Sequence, residues 1–155
     1  GKDKIVHIKP HGAMYNQAAK NKDLADAIVD AIIDYNKDLI LLALSGSQMI
    51  DSAREKGVKY ASEVFADRGY EADGSLRARS LENSMITDED LAVERVIKMV
   101  KTGKVTAYTG EEIDIEAHSV CVHGDSEKAF VFVQKLNEAF SKNGIETVGL
   151  IEAIK

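Results

Sequence analysis

The run Leu39-Ile-Leu-Leu-Ala-Leu44 is apolar at every position, and Ser45-Gly46-Ser47 closes it. A surface helix would interrupt such a run every third or fourth residue, and a half-exposed strand would alternate. Six continuous apolar residues ending in a turn signal describe a parallel strand covered on both faces. The turn lacks the spacing of a Gly-x-Ser-x-Gly nucleophile elbow or of a phosphate loop, so Ser45 and Ser47 read as helix caps rather than nucleophiles.

The same reading extends to both sides. Lys4 to Lys9 is a short Ile- and Val-rich strand, buried by expectation, and Pro10 ends it because proline cannot donate to a ladder. Asn21 is the N-cap of a helix with Leu24, Ala27, Ile28, Ala31, Ile32 and Tyr35 on one face. A second helix runs to about Lys56, with Gly57 as its C′ residue. Strand 58–63 ends in Glu63, and a loop with Asp67, Arg68 and Tyr70 leads to a tight turn at Asp73-Gly74. Residues 75–86 show no clear period. Thr87-x-x-Asp90 resembles a capping box, with Asp replacing Glu. The helix it opens buries Leu91, Val96, Ile97 and Val100 and stops near Gly103. Lys104 to Ile115 reads as a hairpin-like excursion around Gly110. A strand at Ser119-Val-Cys-Val122 then leads to His123-Gly124-Asp125. The last helix, about Ser126 to Lys142, is amphipathic through Ala129, Val133, Leu136 and Phe140, and Asn143-Gly144 closes it.

The element order implies parallel strands joined by right-handed crossovers, in a single α/β domain over residues 1–155. Four strands are too few for a closed barrel of about 250 residues. The alternatives are a small open α/β sheet or the later part of a barrel whose first strands are missing. Gly1 is not an initiator methionine and strand-like residues follow almost at once, so the expectation is a fragment or a processed piece.

Composition excludes several classes. A net charge of −6, a pI near 5.2 and the lack of a Lys/Arg cluster argue against a nucleic-acid partner. No apolar run approaches the ~20 residues of a membrane span. One cysteine, Cys121, rules out an internal disulfide and suits a reducing cytosol, so a cytoplasmic location is expected.

Titratable groups gather at the carboxyl ends of the strands, where active sites lie in both architectures. They are Lys9 and His11, then Glu63, Asp67 and Arg68, then His123 and Asp125. Asp125 serves equally as a helix cap or a catalytic group. His7 reads as a core or helix-facing histidine, His118 sits at the opposite end, and Cys121 is a small buried hydrophobe. His11 and His123 with nearby carboxylates could hold a divalent metal, although no His-x-x-His or His-x-x-x-His spacing supports it. A metal-free alternative uses a carboxylate or histidine as general base, with Lys9 or Arg68 stabilising developing negative charge.

Lys9-Pro-His-Gly-Ala-Met-Tyr-Asn16, Glu63-Val-Phe-Ala-Asp-Arg-Gly-Tyr70 and Val122-His-Gly-Asp125 resemble, in order, signatures of the LamB/YcsF family of lactam-utilization proteins. The resemblance implies a (β/α) barrel of the glycoside hydrolase/deacetylase type. It also implies a component of an ATP-dependent 5-oxoprolinase that opens 5-oxo-L-proline to L-glutamate with subunits B and C, using ATP with magnesium. It makes His11, Glu63, Asp67, His123 and Asp125 candidates for proton transfer or positioning. Lys9, Arg68 and Arg79 become candidates for carboxylate or phosphate contacts. Members of the family begin with an acidic Asp-Leu-Asn-x-Asp-type stretch, then a His-Ala-Gly-Asp and a Gly-Ala-His-Pro block, and none of these occurs here. The resemblance therefore implies the C-terminal part of a larger barrel, incomplete in this chain, that needs the absent segment or an oligomeric partner. Two further readings stay open. One is a metal-dependent, deacetylase-like hydrolase of sugar amides, disfavoured by the absence of Trp and only nine Phe plus Tyr. The other is a non-catalytic module binding a small carboxylate.

Overall fold

The computed structural model describes residues 5–123 and 129–155. Its elements run β1 (His7–Ile8), α1 (Ala13–Ala18), α2 (Lys22–Asn36), β2 (Ile40–Leu44), α3 (Gln48–Lys56), β3 (Tyr60–Phe65), α4 (Glu89–Thr102), β4 (Lys104–Thr106), β5 (Glu112–Asp114), β6 (Ser119–Cys121), α5 (Ala129–Lys142) and α6 (Leu150–Ala153). Strands β1, β2, β3 and β6 form one sheet in that order, and every neighbouring pair is parallel. Strands β4 and β5 form a separate antiparallel pair, the excursion expected around Gly110.

All five residues of β2 are buried, as its unbroken apolarity requires. Leu41 and Ala43 face the main core with Val29, Ile32, Met49 and Ala53 of α2 and α3. Ile40 and Leu42 point the other way and meet Ala61, with Leu150 and Ile154 of the C-terminal segment packed against them. The alternation of Cβ directions along a strand divides β2 between two apolar clusters.

The helix boundaries follow their caps. The Asn21 side chain accepts from the Leu24 N–H, and Gly57 and Gly103 adopt the left-handed conformation that ends α3 and α4. Several expected faces are corrected. On α2 the buried residues are Ala25, Val29 and Ile32, while Ala27, Ala31 and Tyr35 lie outward. The cap of α4 is Asp88, one residue after Thr87, and the helix buries Ala92, Val96 and Met99 and leaves Leu91 exposed. On α5 Phe132 and Leu136 are buried and Val133 is not. Each shift is about one residue, or roughly 100° of helix rotation. A wide apolar stripe tolerates that rotation in the sequence, and packing then selects one setting.

Three further expectations change. Strand β1 is only two residues long and exposed, because among the described residues it is an edge with one neighbour, and His7 is therefore exposed rather than in the core. Ser47 takes the N-cap position of α3, as expected, but neither serine caps the helix through its side chain. Ser45 Oγ accepts from the Glu116 N–H at 2.8 Å, and buried Ser47 Oγ has no partner among the described residues. Strand β3 continues to Phe65, so Glu63 lies inside the strand and not at its end. Helix α1, unexpected from the sequence, follows Gly12.

Candidate active site

Residues Glu63 and Phe65 alternate with Ser62 and Val64 along β3, so the two sets face opposite sides of the sheet. Ser62 Oγ donates to Glu116 Oε2, and the Ser62 N–H donates to His118 Nδ1, away from the cavity at the strand ends. Glu63 is 2% exposed, which would be prohibitive for an unpaired carboxylate. Both of its oxygens are occupied. Lys9 Nζ donates to Oε1 at 2.6 Å, and the Tyr15 hydroxyl donates to Oε2 at 2.8 Å. Burial, followed by the Glu63 charge, pushes the Tyr15 phenol far above its ordinary value, so it stays protonated and remains a donor.

Cys121 pairs with Phe65 across the β3–β6 ladder and is half-buried beside this group. Its Sγ accepts a weak hydrogen bond from Lys9 Nζ at 3.7 Å, which corrects its reading as a simple core residue. Burial and then Glu63 raise the thiol pKa, while Lys9 opposes them.

A second acid–base pair sits one step further along. His123 Nδ1 and Asp67 Oδ2 are 2.9 Å apart, and Asp67 Oδ1 is buried without a partner among the described residues. The His123 ring lies 5.9 Å from Phe65, and Phe65 meets Tyr15 edge-on at 5.9 Å. An aromatic floor thus joins the two pairs. If Nδ1 carries its proton toward Asp67, Nε2 is left as a base.

The loop after Asp67 is braced internally. Arg68 is buried; its Nε donates to the Ser84 carbonyl, and one terminal nitrogen donates to the Arg77 carbonyl at 2.6 Å. Burial, then the nearby Arg79 guanidinium, lowers the Arg68 pKa from a value high enough to leave the group charged. Gly69 passes so close to the Asn83 carbonyl that a Cβ would lie 2.3 Å from its oxygen. Tyr70 is fully buried, and its hydroxyl oxygen accepts from the Phe65 N–H at 2.8 Å, pinning the loop to the strand end.

A cavity of about 270 Å³ brings Lys9, His11, Arg68, Arg79 and His123 to one place, over Tyr15 and Phe65. Glu63 and Asp67 adjoin it through Lys9 and His123. Of the eight sequence candidates, five line this cavity, Glu63 and Asp67 are bonded to two of those five, and Asp125 lies outside the described residues. His11 and Arg79 are exposed and make no side-chain hydrogen bond among the described residues, so they form an adaptable rim. Tyr15 is a site residue that sequence reasoning misses. Its signal is the Tyr15, Ala18, Ala19 spacing of a helical face within a few residues of Pro10. No group of three or more His, Cys, Asp or Glu among the described residues could hold a metal ion.

The LamB/YcsF family model matches residues 2–155. The chain is 54% identical over 147 residues to a 5-oxoprolinase subunit, the A component, from Clostridium beijerinckii, covering 95% of this chain and 58% of that protein. It is 52% identical over 152 residues to the corresponding component from Fusobacterium nucleatum, covering 98% and 59%. The crystal structure of the lactam utilization protein from Thermus thermophilus superposes with a TM-score of 0.81 at 35% identity, over 91% of this chain and 56% of that one. The chain thus spans under three-fifths of the relatives it matches, and its parallel sheet is curled into a half-barrel. The chain belongs to the LamB/YcsF family.

Proposed function

We propose that this chain contributes the ring-opening site of a 5-oxoprolinase, converting 5-oxo-L-proline to L-glutamate. The observation that carries the reading is the meeting of the His123–Asp67 pair, the Lys9–Glu63 pair and the Arg79 rim around one small cavity. The names of the relatives supply the substrate class.

In this mechanism His123 Nε2 takes a proton from water as the water oxygen bonds to the lactam carbonyl carbon. Asp67 holds the imidazole in position and offsets the charge of the imidazolium. The carbon–nitrogen bond then breaks and the ring nitrogen takes a proton, leaving the amine and the new carboxylate of glutamate. Lys9, held beside Glu63, faces the developing oxyanion, and Arg79 with His11 receives the substrate carboxylate at the rim.

An unstrained amide needs activation, which ATP supplies when the enzyme is assembled. Ser45-Gly46-Ser47 lacks the phosphate-loop pattern. We therefore place ATP and its magnesium in the assembly with subunits B and C, within a complete barrel of the glycoside hydrolase/deacetylase type in the cytoplasm. No step above runs through them.

The test has two readouts. Calorimetry should show 5-oxoproline binding that weakens in Arg79→Ala, and adding subunits B and C with ATP should release glutamate. Binding without turnover in the complete assembly would replace this reading with a small-carboxylate binding module. No binding and no turnover would end it.

A further inference from the structure

The 66–88 segment between β3 and α4 contains no helix and only isolated bridges, yet its backbone is closely tied. The Asp67 carbonyl accepts from the Ile86 N–H, the Gly69 carbonyl accepts from the Arg77 N–H, and the Gly69 N–H donates to the Ser84 carbonyl, each at 2.9 Å. Two legs, 67–70 and 84–86, thus run side by side, with Arg68 opposite Met85 in an antiparallel bridge. Between Arg77 and Ser84 the chain leaves these legs as a tip, and residues 78–83 are all exposed.

Arg68 sits at the base of that tip. It is 5% exposed, and no carboxylate pairs with it among the described residues. A buried guanidinium is costly unless its donors are met, and here the backbone meets them. Nε donates to the Ser84 carbonyl at 3.3 Å and Nη2 to the Arg77 carbonyl at 2.6 Å, and these residues are the two feet of the tip. A planar fork can reach both carbonyls at once, whereas a lysine ammonium supplies its donors from one point.

Ser84 carries the restraint into the tip. It is buried, and its Oγ donates to the Arg79 carbonyl at 3.1 Å, while Arg77 Nε donates to the Glu82 carbonyl at 2.6 Å. The Arg79 backbone is therefore held from inside, and its side chain stays free at the cavity. Arg95 Nη1 of α4 donates to the Arg68 carbonyl at 3.1 Å, which fastens the base to a helix. Asp67 of the dyad precedes Arg68 directly in the chain, so one guanidinium links the acid of the dyad to the feet of the tip.

We propose that Arg68 is a positioning residue and not a substrate contact: it clasps both feet of the tip and holds Arg79 at a fixed reach from the dyad. The clasp makes the site selective for a lactam that bears a carboxylate on its ring. It rests on the reading that Arg79 receives that carboxylate.

The test measures glutamate release from 5-oxoproline in the complete assembly with subunits B and C and ATP. Arg68→Ala should raise KM about ten- to hundredfold and change kcat far less, the scale of a ~1 Å misplacement. Ser84→Ala, at a residue outside the cavity lining, should raise KM about three- to tenfold, the worth of one hydrogen bond. In an Arg79→Ala background neither substitution should raise KM further, because both act through Arg79. As a competing ligand, the neutral carboxamide of 5-oxoproline should bind the parent and Arg68→Ala alike. A parallel loss of that ligand would mean that the whole cavity has collapsed, and would overturn the proposal. So would an Arg68→Ala effect that persists undiminished beside Arg79→Ala, since Arg68 would then touch the substrate itself. An active Arg68→Ala enzyme with unchanged KM would overturn the clasp and leave the ring-opening reading standing, whereas a parent that opens no 5-oxoproline ends both. If Arg68→Ala does not fold, Ser84→Ala decides alone: a KM rise confined to the parent background supports the clasp, and no rise overturns it.

Discussion

Glu63 and Asp67 are carboxylates four residues apart on one segment, and the protein treats them in opposite ways. Glu63 is sealed, with an ammonium on one oxygen and a phenol on the other. Asp67 has a single partner, His123, and its second oxygen is buried without one among the described residues. A carboxylate whose acceptor sites are met by fixed donors has little left to give a substrate, and its neutralised pair sets local charge and geometry. A carboxylate holding one imidazole can orient that ring and answer a change in its protonation. Glu63 therefore acts as architecture that presents Lys9, and Asp67 as half of a working dyad.

The strongest way to break this comparison is to remove the dyad. His123→Ala and Asp67→Asn should each lower glutamate release in the assembled enzyme by about 10²–10⁴-fold, the usual worth of general-base catalysis. Their urea midpoints should barely move, because His123 is one-third exposed and Asp67 one-quarter. Comparable losses of stability would show that the pair is structural, like Glu63.

Glu63→Ala should do the reverse. Removing one partner of a buried pair strands the other, at a cost of about 3–5 kcal/mol when both are sealed. Lys9 retains 27% side-chain exposure and can turn toward water, so the lower end is expected in chemical denaturation. Tyr15→Phe sharpens the same point at smaller scale. It deletes only the donor to Oε2, and about 1–2 kcal/mol should be lost from leaving a buried acceptor unmet. A neutral Tyr15→Phe would mean that Glu63 finds another donor.

These two environments differ in how far the sequence reveals them. The apolar unity of Leu39–Leu44 makes β2 legible, and Asn21, Gly57 and Gly103 mark helix ends because their conformational roles are local. The gathering of Lys9, Asp67 and His123 follows from parallel topology, which places successive strand ends together. What a local reading cannot supply is the partner across space. Lys9 meets Glu63 over 54 residues, and Arg68 spends donors on the Ser84 and Arg77 carbonyls, which carry no side-chain signature. Helix faces slip by one position for the same reason, since contact with the sheet chooses the rotation. Tyr15 escapes notice together with α1, a helix of six residues, too short for periodicity to announce.

A third carboxylate separates the effect of partners from that of burial. Asp26 on α2 has the same kinds of donor as Glu63: Lys22 Nζ at 2.6 Å and the Ser52 hydroxyl at 2.5 Å, with Lys56 at 3.8 Å. It sits near the surface, where ion pairs contribute little. The Lys22 hydrogen bond first, then that from Ser52, lower its pKa against a smaller opposing effect of desolvation. The folded value thus lies below the unfolded one, so the stabilisation is complete above an unfolded pKa of about 3.9 and is lost as pH falls through the folded value. Urea midpoints measured from pH 6 down to pH 2.5 should therefore fall less steeply below pH 4 in Asp26→Asn than in the parent. At pH 7 the variant should cost less than Tyr15→Phe. A larger cost would mean that matching donors, rather than exclusion from water, makes a carboxylate structural in this fold, and the contrast between Glu63 and Asp67 would then rest on their donors alone.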